Sequence, residues 1–458
     1  MLGRAERGRT EAGLALRAVL YTGTREFVPY YALYAVFFAD HGLSTAQISS
    51  LLALWSGTAF LLEVPSGAWA DAYSRRALLI LSGLLLVAGF GVWTVWPGYL
   101  GFAVGFVVWG AAGALSSGTF EALLYDELTA LGAAGRYPVI LGRTRAAGEF
   151  TVVLAILAAA PLYAWGGYAL VGWVSTGLAA VHTLAACALP AAPRVVGVGD
   201  VPEDGDEIEP AGPGVPAEPG VPAVGSSGAG GDLSGTCGAA AESAAGTDAA
   251  RAPTGVGGRW IAMLRSGLGE ALTHRTVRRG VLLGAALYGI TSYDEYFGLL
   301  AEAGGAATAV VPLLVGVTVV GSLLGALAAG RTENLSGRVL GALVGVGALL
   351  LAAGSVLAGS VGGGVAVLAG FLAIAVGYGV GVNAEVVADA RLQEAIDGPA
   401  RATVTSVSGL LSEVVALAVF GFVALATAVL SLAATMALLG LAVLAIAAVT
   451  PRWLPPRR

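Results

Sequence analysis

The sequence lacks lysine altogether and is poor in charge of either sign. Only 12% of its 458 residues are charged, about half of the roughly 25% that is typical of soluble domains. All 24 basic residues are arginines, so the phosphate-binding pattern Gly-x-x-x-x-Gly-Lys-[Ser/Thr] cannot occur. With 57% hydrophobic residues and a mean hydropathy of +0.80, the composition predicts a membrane protein and argues against an ATP-driven pump.

Cysteine and histidine are also scarce. The two cysteines, Cys187 and Cys237, both fall where we expect the reducing cytoplasm, so no structural disulfide is predicted. The three histidines, His41, His182 and His274, lie far apart, and no pair has the spacing of metal ligands. We therefore expect no metal site, and we also predict no cofactor and no nucleic-acid partner.

Long apolar runs are what the chain has in abundance. A helix needs roughly 20 apolar residues to cross the hydrocarbon core of a bilayer, and twelve such runs are present. They lie at approximately 17–39, 46–70, 76–96, 99–126, 139–165, 168–189, 276–300, 308–329, 337–360, 364–391, 402–427 and 429–450. Six runs precede a long polar gap and six follow it. The sequence thus predicts an all-α membrane protein with a bundle of six helices on either side of that gap, at residues 1–189 and 276–458.

The polar gap at residues 190–258 is rich in proline, glycine, alanine and acids and shows no periodicity. Such a composition cannot bury enough apolar surface to fold, so we expect a disordered linker. Residues 259–275 combine helical spacing of apolar residues with arginines, which is typical of a helix on the membrane surface. A plain spacer and a regulatory docking segment are both compatible with the linker.

The arginines predict the orientation. They gather at the amino terminus, at the carboxyl terminus and in the connections after the second, fourth, eighth and tenth runs, whereas the loops at 39–42, 96–99 and 301–305 have none. Positive charge is retained on the cytoplasmic side. We therefore expect both termini in the cytoplasm and a multi-pass protein of the cytoplasmic membrane.

The two sets of six runs show a weak internal repeat. "TFEALLYDEL" at 119–128 aligns with "NAEVVADARL" at 383–392, which pairs Glu121 with Glu385 at an offset of 264 residues. The same offset pairs Glu149 with Glu413. Parallel repeats of six helices are a feature of one large class of secondary transporters.

A short stretch points to the same class. "GAWADAYSRR", which follows the second run, resembles the loop signature of the major facilitator superfamily, Gly-x-x-x-Asp-[Arg/Lys]-x-Gly-Arg-[Arg/Lys]. Gly67, Asp71, Arg75 and Arg76 match it. The resemblance implies twelve transmembrane helices in two pseudo-symmetric six-helix bundles. It also implies no enzymatic activity and a small-molecule substrate.

The resemblance further implies a cytoplasmic gate. Asp71 would sit against the start of helix eleven, and Arg75 would pair with an acid at the end of helix four, either Glu121 or Asp126. Two positions depart from the family pattern, because alanine and serine stand at 72 and 74, where a basic residue and a glycine are usual. The second copy of the loop has Ala329 in place of the acid.

Acids within the apolar runs are the candidates for chemistry, because each costs roughly 3 kcal/mol or more inside a bilayer and so usually faces a cavity, pairs or carries protons. Asp294 and Glu295 lead, since two adjacent carboxylates would repel unless one is protonated. Glu413 is the second choice. Arg25 can neutralise Glu26 or Glu63 as a structural ion pair, or bind an anionic group. The remaining candidates are Glu149 and Glu385.

These observations favour a secondary transporter that exports a small organic molecule in exchange for protons, in the manner of the superfamily's drug exporters. Uptake of a nutrient or metabolite by symport is the alternative within this class. A receptor or scaffold that keeps the fold and signals through the linker is the alternative outside it. We expect a monomer embedded in the bilayer, with protons as the coupling ion.

Overall fold

The computed structural model describes residues 4–190, 274–360, 363–396 and 401–457, and these residues form helices and short turns without a β-strand. We call residues 4–190 the first half and residues 274–457 the second half, and number the membrane spans 1–12 in chain order. Span 1 comprises the helix Arg4–Glu26, the 3-10 turn Pro29–Ala32 and the helix Tyr34–Asp40. Span 2 is the helix Thr45–Ala72 and span 3 the helix Arg75–Val95. Span 4 comprises the helices Tyr99–Ser116 and Thr119–Ala130, and spans 5 and 6 share the helix Tyr137–Cys187.

The second half repeats this organisation. Span 7 comprises the helix Arg275–Ile290, the 3-10 turn Thr291–Tyr296 and the helix Phe297–Ala303. Spans 8 to 12 are the helices Val311–Thr332, Gly337–Ser360, Gly364–Ala395, Arg401–Ala426 and Leu432–Trp453. The predicted fold class, an all-α membrane protein, is confirmed.

Within the described residues, 9 helices are long and apolar enough to cross a membrane. One of them, at 134–187, contains spans 5 and 6, which are separated only by a tight turn at Gly166 and Gly167. Gly167 has φ of 61°, a conformation that favours glycine. Spans 1 and 7 are not among the 9 because a 3-10 turn interrupts each of them.

Span 4 is also interrupted, although its sequence predicts one continuous run. Gly118 has φ of 68° and separates the helix Tyr99–Ser116 from the helix Thr119–Ala130. The break re-aims the second helix, which carries Glu121 and Asp126 toward the arginine-rich end. A residue with a β-carbon would be strained at this position.

Glycines bring helices of the second half into backbone contact. A β-carbon built on Gly325 of span 8 would lie 1.9 Å from the carbonyl oxygen of Gly379 in span 10, and one on Gly321 would lie 2.2 Å from that of Ala375. Small residues at such crossings allow close van der Waals packing in the membrane, where no hydrophobic effect drives helices together. The abundance of glycine therefore reflects packing at these positions.

In the described residues the two halves contact each other along several pairs of elements, one of which is the 3-10 turn Pro29–Ala32 packed against span 8. Span 2 packs against span 11, span 5 against span 8, and the helix Tyr34–Asp40 of span 1 against the helix Phe297–Ala303 of span 7. In the last pair a β-carbon on Gly298 would lie 3.3 Å from the Val36 side chain. This contact lies toward the face whose loops, 39–42, 96–99 and 301–305, lack arginine, which we call the arginine-poor face.

Three predictions fall outside the described residues. These are the linker at 190–258 apart from residue 190, the surface helix at 259–275 apart from its last two residues, and the location of Cys237.

Candidate functional site

The interruptions of spans 1 and 7 create the candidate site. Pro29 opens the 3-10 turn of span 1, where its ring removes a backbone donor from the helix. The repeat offset of 264 residues carries Tyr31 of this turn onto Glu295 in the 3-10 turn of span 7. Each half thus departs from regular helix at a matching depth in the membrane, as is typical of binding sites in transporters with internal repeats.

The two adjacent acids of span 7 have different partners. Asp294 accepts a hydrogen bond of 2.7 Å from the Tyr378 hydroxyl of span 10, within its own half. Glu295 accepts one from the Tyr34 hydroxyl of span 1, in the opposite half. Both carboxylates are half-buried, and Tyr34 is only 5% exposed. The 3-10 turn therefore directs one acid into its own half and the other across the interface.

Two further hydroxyl contacts join the halves. The Ser49 hydroxyl of span 2 lies 2.8 Å from the Tyr296 hydroxyl of span 7, and the Ser56 hydroxyl donates to Glu413 of span 11 over 2.5 Å. Ser49, Ser56 and Tyr296 are all buried. We call the pairs Tyr34–Glu295, Ser49–Tyr296 and Ser56–Glu413 the inter-half contacts. Two of the three end on a carboxylate.

Of the two partners that the sequence left open for Arg25, the structure brings Glu26 close and not Glu63. Arg25 is 3.8 Å from Glu26, its neighbour in sequence. Glu63 instead accepts a hydrogen bond of 2.9 Å from Ser117, at the break in span 4. The Glu413 carboxylate of the opposite half is within electrostatic range of Glu63.

The other candidate acids fall into one group in each half. In the first half, Glu149 of span 5 lies within electrostatic range of Glu26, and Glu121 lies within range of Arg25's neighbour Tyr21. In the second half, the Tyr288 hydroxyl is within range of Glu385, Glu413 and Asp294. In the first half, Arg25 is within electrostatic range of the carboxylates of Glu26 and Glu121.

Aromatic side chains border the acids on the first half. Tyr31 stacks on Trp109 of span 4 with ring centroids 5.3 Å apart, and Trp109 contacts Trp55 of span 2 at 5.1 Å. All three rings are half-buried. The hydroxyl of Tyr31 is within electrostatic range of Glu26, Arg25 and Glu295, so this aromatic surface lies between the charged groups of the two halves.

The predicted gate motif forms contacts at the arginine-rich end. The Arg75 guanidinium donates to Asp126, the second of the two acids that the resemblance implied, and Glu121 is not its partner. Arg76 donates to the carbonyl oxygen of Cys187 at the end of span 6. Gly67 has no atom within 4 Å of a built β-carbon. The side chain of Asp71 lies outside the described residues, and with it the expected contact to span 11.

Ser74, which stands where the family has glycine, is the amino-terminal cap of span 3, because its hydroxyl accepts a hydrogen bond from the backbone N–H of Ala77. The second half has its own connection at this end. Arg391 of span 10 donates to the backbone carbonyls of Glu333 and Leu335 at 2.5 Å each, and Arg457 lies 3.3 Å from the Glu333 carboxylate. The sequence pattern missed this contact, because Arg391 lies outside the loop that carries the motif.

Known proteins share this architecture. Over 98% of this chain and 99% of the other, it superposes on the nucleoside transporter NupG with a TM-score of 0.63 at 11% sequence identity. The D-xylose-proton symporter matches with a TM-score of 0.61, 15% identity and 97% coverage of both chains. The POT family transporter PepTSo matches with a TM-score of 0.63, 12% identity and 97% coverage of both chains.

The chain has the fold of these transporters. No family model matches the sequence, and no curated protein is similar to it. The expected arrangement of two six-helix halves, derived from the resemblance to the major facilitator superfamily, is therefore confirmed at the level of the fold.

The transporter fold also closes at the arginine-poor face through a carboxyl pair that the sequence did not reveal. Asp40, at the end of span 1, accepts a hydrogen bond of 2.5 Å from the Tyr168 hydroxyl and shares another with Glu302 of the opposite half. Burial raises the pKa of Glu302 to about 7, and the adjacent Asp40 carboxyl contributes in the same direction. A hydrogen bond between two carboxyl groups requires a proton on one of them, so this closure depends on protonation.

Proposed function

We propose that the chain is a secondary active transporter that moves a small organic molecule across the cytoplasmic membrane by alternating access, with protons as the coupling ion and export as the direction. The observation that carries this proposal is the pair of acids, Glu295 and Glu413, whose hydroxyl partners belong to the opposite half. A proton on either acid changes a contact that holds the halves together. Proton binding and movement of the halves are coupled through these groups.

The arginines supply the orientation. If the arginine-rich end is cytoplasmic, the inter-half contacts and the Asp40–Glu302 pair close the outer side of the protein. The motif contact between Arg75 and Asp126 then lies at the cytoplasmic end, within one half. We assign Gly67, Asp71, Arg75, Arg76, Glu121 and Asp126 to a cytoplasmic gate that the halves assemble when the outer side opens.

A growth assay tests the proposal. A strain that lacks the chain is grown across a panel of toxic compounds, with the wild-type chain or the variant Asp294→Asn/Glu295→Gln supplied from a plasmid. We expect wild type to restore growth on at least one compound and the double variant to fail. Glu394→Gln, which removes an exposed acid of span 10 outside the cluster, serves as the control and should behave as wild type. If the wild-type chain changes growth on none of the compounds, the result contradicts export.

Uptake by proton symport is the second candidate, and the likeness to the D-xylose-proton symporter favours it. Measuring the amount of compound that accumulates in cells distinguishes export from uptake. Compared with cells that lack the chain, accumulation falls if the chain exports the compound and rises if the chain imports it.

A receptor or scaffold that signals through the linker makes a different prediction. Deletion of residues 200–250 leaves a transporter active and abolishes a linker-based signal. We expect the growth phenotype of the deleted chain to equal that of wild type, and its loss would support the receptor hypothesis.

A further inference from the structure

We infer that Tyr34 and Ser56 are positioning residues that lock the empty, ionised protein with its outer side closed, so that transport is an obligatory exchange. This inference rests on the proposed function, because it concerns the same acids. It adds how the acids and the hydroxyls of the opposite half prevent protons from crossing without substrate.

The chemistry of the inter-half contacts supports the inference. The Tyr34 hydroxyl donates to Glu295, and the Ser56 hydroxyl donates to Glu413. A hydrogen bond to an ionised carboxylate is roughly twice as strong as one to a neutral acceptor. Both contacts are therefore strongest when the acids have lost their protons, and both span the interface. Ionisation and closure stabilise each other.

Among the described residues, the side-chain hydrogen bond to Glu295 comes from Tyr34 and that to Glu413 comes from Ser56. Around Glu295 are Asp294 of the same turn, Tyr296 beside it and the hydroxyls of Tyr34 and Tyr31 from span 1. Around Glu413 are Ser56 and Glu63 of span 2 and the Tyr288 hydroxyl of span 7. Among these described neighbours the charged groups are acids, so the hydroxyls of the opposite half are the donors that stabilise the ionised forms.

The consequence for the transport cycle follows directly. When the acids are protonated, the contacts are weak and the halves can move in either direction. When the acids are ionised and the site is empty, closure is favoured and the protein cannot return to the outward-open form. Opening of the outer side then requires new protons on the acids or a substrate whose own N–H or O–H group replaces Tyr34 and Ser56 as the donor. Protons and substrate then cross in exchange.

The third inter-half contact provides an internal comparison. Ser49 and Tyr296 join the same two halves at 2.8 Å, but both groups are neutral hydroxyls. Loss of this contact weakens closure equally at all pH values. Loss of Tyr34 or Ser56 weakens closure mainly where the acids are ionised.

The test measures outer opening without substrate. Spin labels on Leu100→Cys and Val429→Cys, two exposed positions toward the arginine-poor face, report the distance between the halves in lipid nanodiscs, with Cys187 and Cys237 replaced by alanine. The labelled protein also has Glu302→Gln, because protonation of the Asp40–Glu302 pair favours closure whereas protonation of Glu295 and Glu413 weakens it. We expect the short-distance population to increase from acidic to alkaline pH.

The variants decide the role of each hydroxyl. At alkaline pH, Tyr34→Phe and Ser56→Ala should each lower the ratio of closed to open protein by about tenfold, the factor that corresponds to loss of one charge-assisted hydrogen bond. At acidic pH their effect should be small. Ser49→Ala should act equally at both pH values. Tyr30→Phe, which removes a buried hydroxyl whose partner Thr94 is in the same half, should change nothing.

A second measurement follows proton leak into proteoliposomes that contain a pH-sensitive dye and no substrate. We expect little leak through wild type and a severalfold increase with Tyr34→Phe/Ser56→Ala, because the ionised protein can then return empty. Equal effects of Tyr34→Phe and Tyr30→Phe, or an unchanged pH dependence in the double variant, would overturn the inference. Either result can occur while compound-driven flux persists, so it leaves the proposed function standing. Absence of any transported compound contradicts the proposed function and, with it, this inference.

Discussion

At the scale of single residues, the site consists of carboxylates that differ in what they contact rather than in residue type. Asp294 and Glu295 are adjacent in sequence, yet Tyr378 holds one within its half and Tyr34 holds the other across the interface. The sequence predicted the acids because charge is rare in apolar runs. It could not predict their partners, because tyrosine and serine are common in spans and carry no signal of pairing. The sequence also left the partner of Glu63 undetermined, because Arg25 could pair with either Glu26 or Glu63.

The Asp40–Glu302 pair at the arginine-poor face predicts a pH dependence of closure. In the closed arrangement burial raises the pKa of Glu302 to about 7 from an ordinary 4.5, so the proton stabilises closure. This contribution is complete below the ordinary pKa and is lost as the pH rises through about 7. In the protein labelled at Leu100→Cys and Val429→Cys, the long-distance population should therefore gain a component that rises through about pH 7. This component is opposite in sign to the contribution of Glu295 and Glu413.

Glu302→Gln is the matched variant for that measurement. The amide keeps a hydrogen-bond donor for Asp40 but does not titrate, so the distance distribution should lose the component that is centred near neutral pH and keep the opposite one from Glu295 and Glu413. An unchanged profile in Glu302→Gln would remove the pair from the mechanism of closure.

The ion pair of Arg75 and Asp126 predicts a modest loss of stability. Both side chains are partly exposed, at 23% and 19%, so we expect Arg75→Ala to cost about 1–2 kcal/mol. A double-mutant cycle with Asp126→Ala, measured by thermal unfolding in detergent, isolates the pair. Arg143→Ala, at an exposed position of the same end, serves as the control. Additive effects of the two substitutions would show that the pair contributes nothing.

At the scale of elements, the positions of the spans were predictable and their interruptions were not. Twelve apolar runs at the length of a bilayer correspond to the spans of the structure, because the hydrocarbon core fixes that length. The 3-10 turns of spans 1 and 7 lie inside these runs, where non-helical backbone is tolerated because it is surrounded by protein. Pro29 is a signal for the first break, whereas Thr291–Tyr296 contains no proline or glycine.

Helix packing in the second half predicts that alanine is not tolerated where spans 8 and 10 cross. Gly325→Ala would place a methyl group 1.9 Å from the carbonyl oxygen of Gly379, so spans 8 and 10 must separate. We expect a loss of about 1–3 kcal/mol and a lower unfolding temperature in detergent.

Gly330→Ala is the control on the same helix, because nothing lies within 4 Å of its built β-carbon. It should be neutral or slightly stabilising, since alanine is the better helix former. Equal unfolding temperatures for the two variants would contradict the packing of spans 8 and 10.

At the scale of the whole molecule, the contacts between halves are unevenly distributed. The polar contacts described between them run from the middle of the membrane, at Ser56 and Glu413, to the arginine-poor face, at Asp40 and Glu302. The motif residue Arg75 and its partner Asp126 pair within one half instead. The structure therefore holds the halves together on one side of the membrane. The repeat in the sequence predicted two halves but not which side they close.

The most direct measurement of the central claim, proton-coupled movement through the inter-half acids, is proton flux in proteoliposomes challenged with compounds under an imposed pH gradient. The account predicts that a compound identified by the growth assay triggers proton flux through the wild-type chain. In Asp294→Asn/Glu295→Gln we expect that flux to fall at least roughly tenfold, with Glu394→Gln unaffected. Compound flux that ignores the gradient and survives the double substitution would contradict the account.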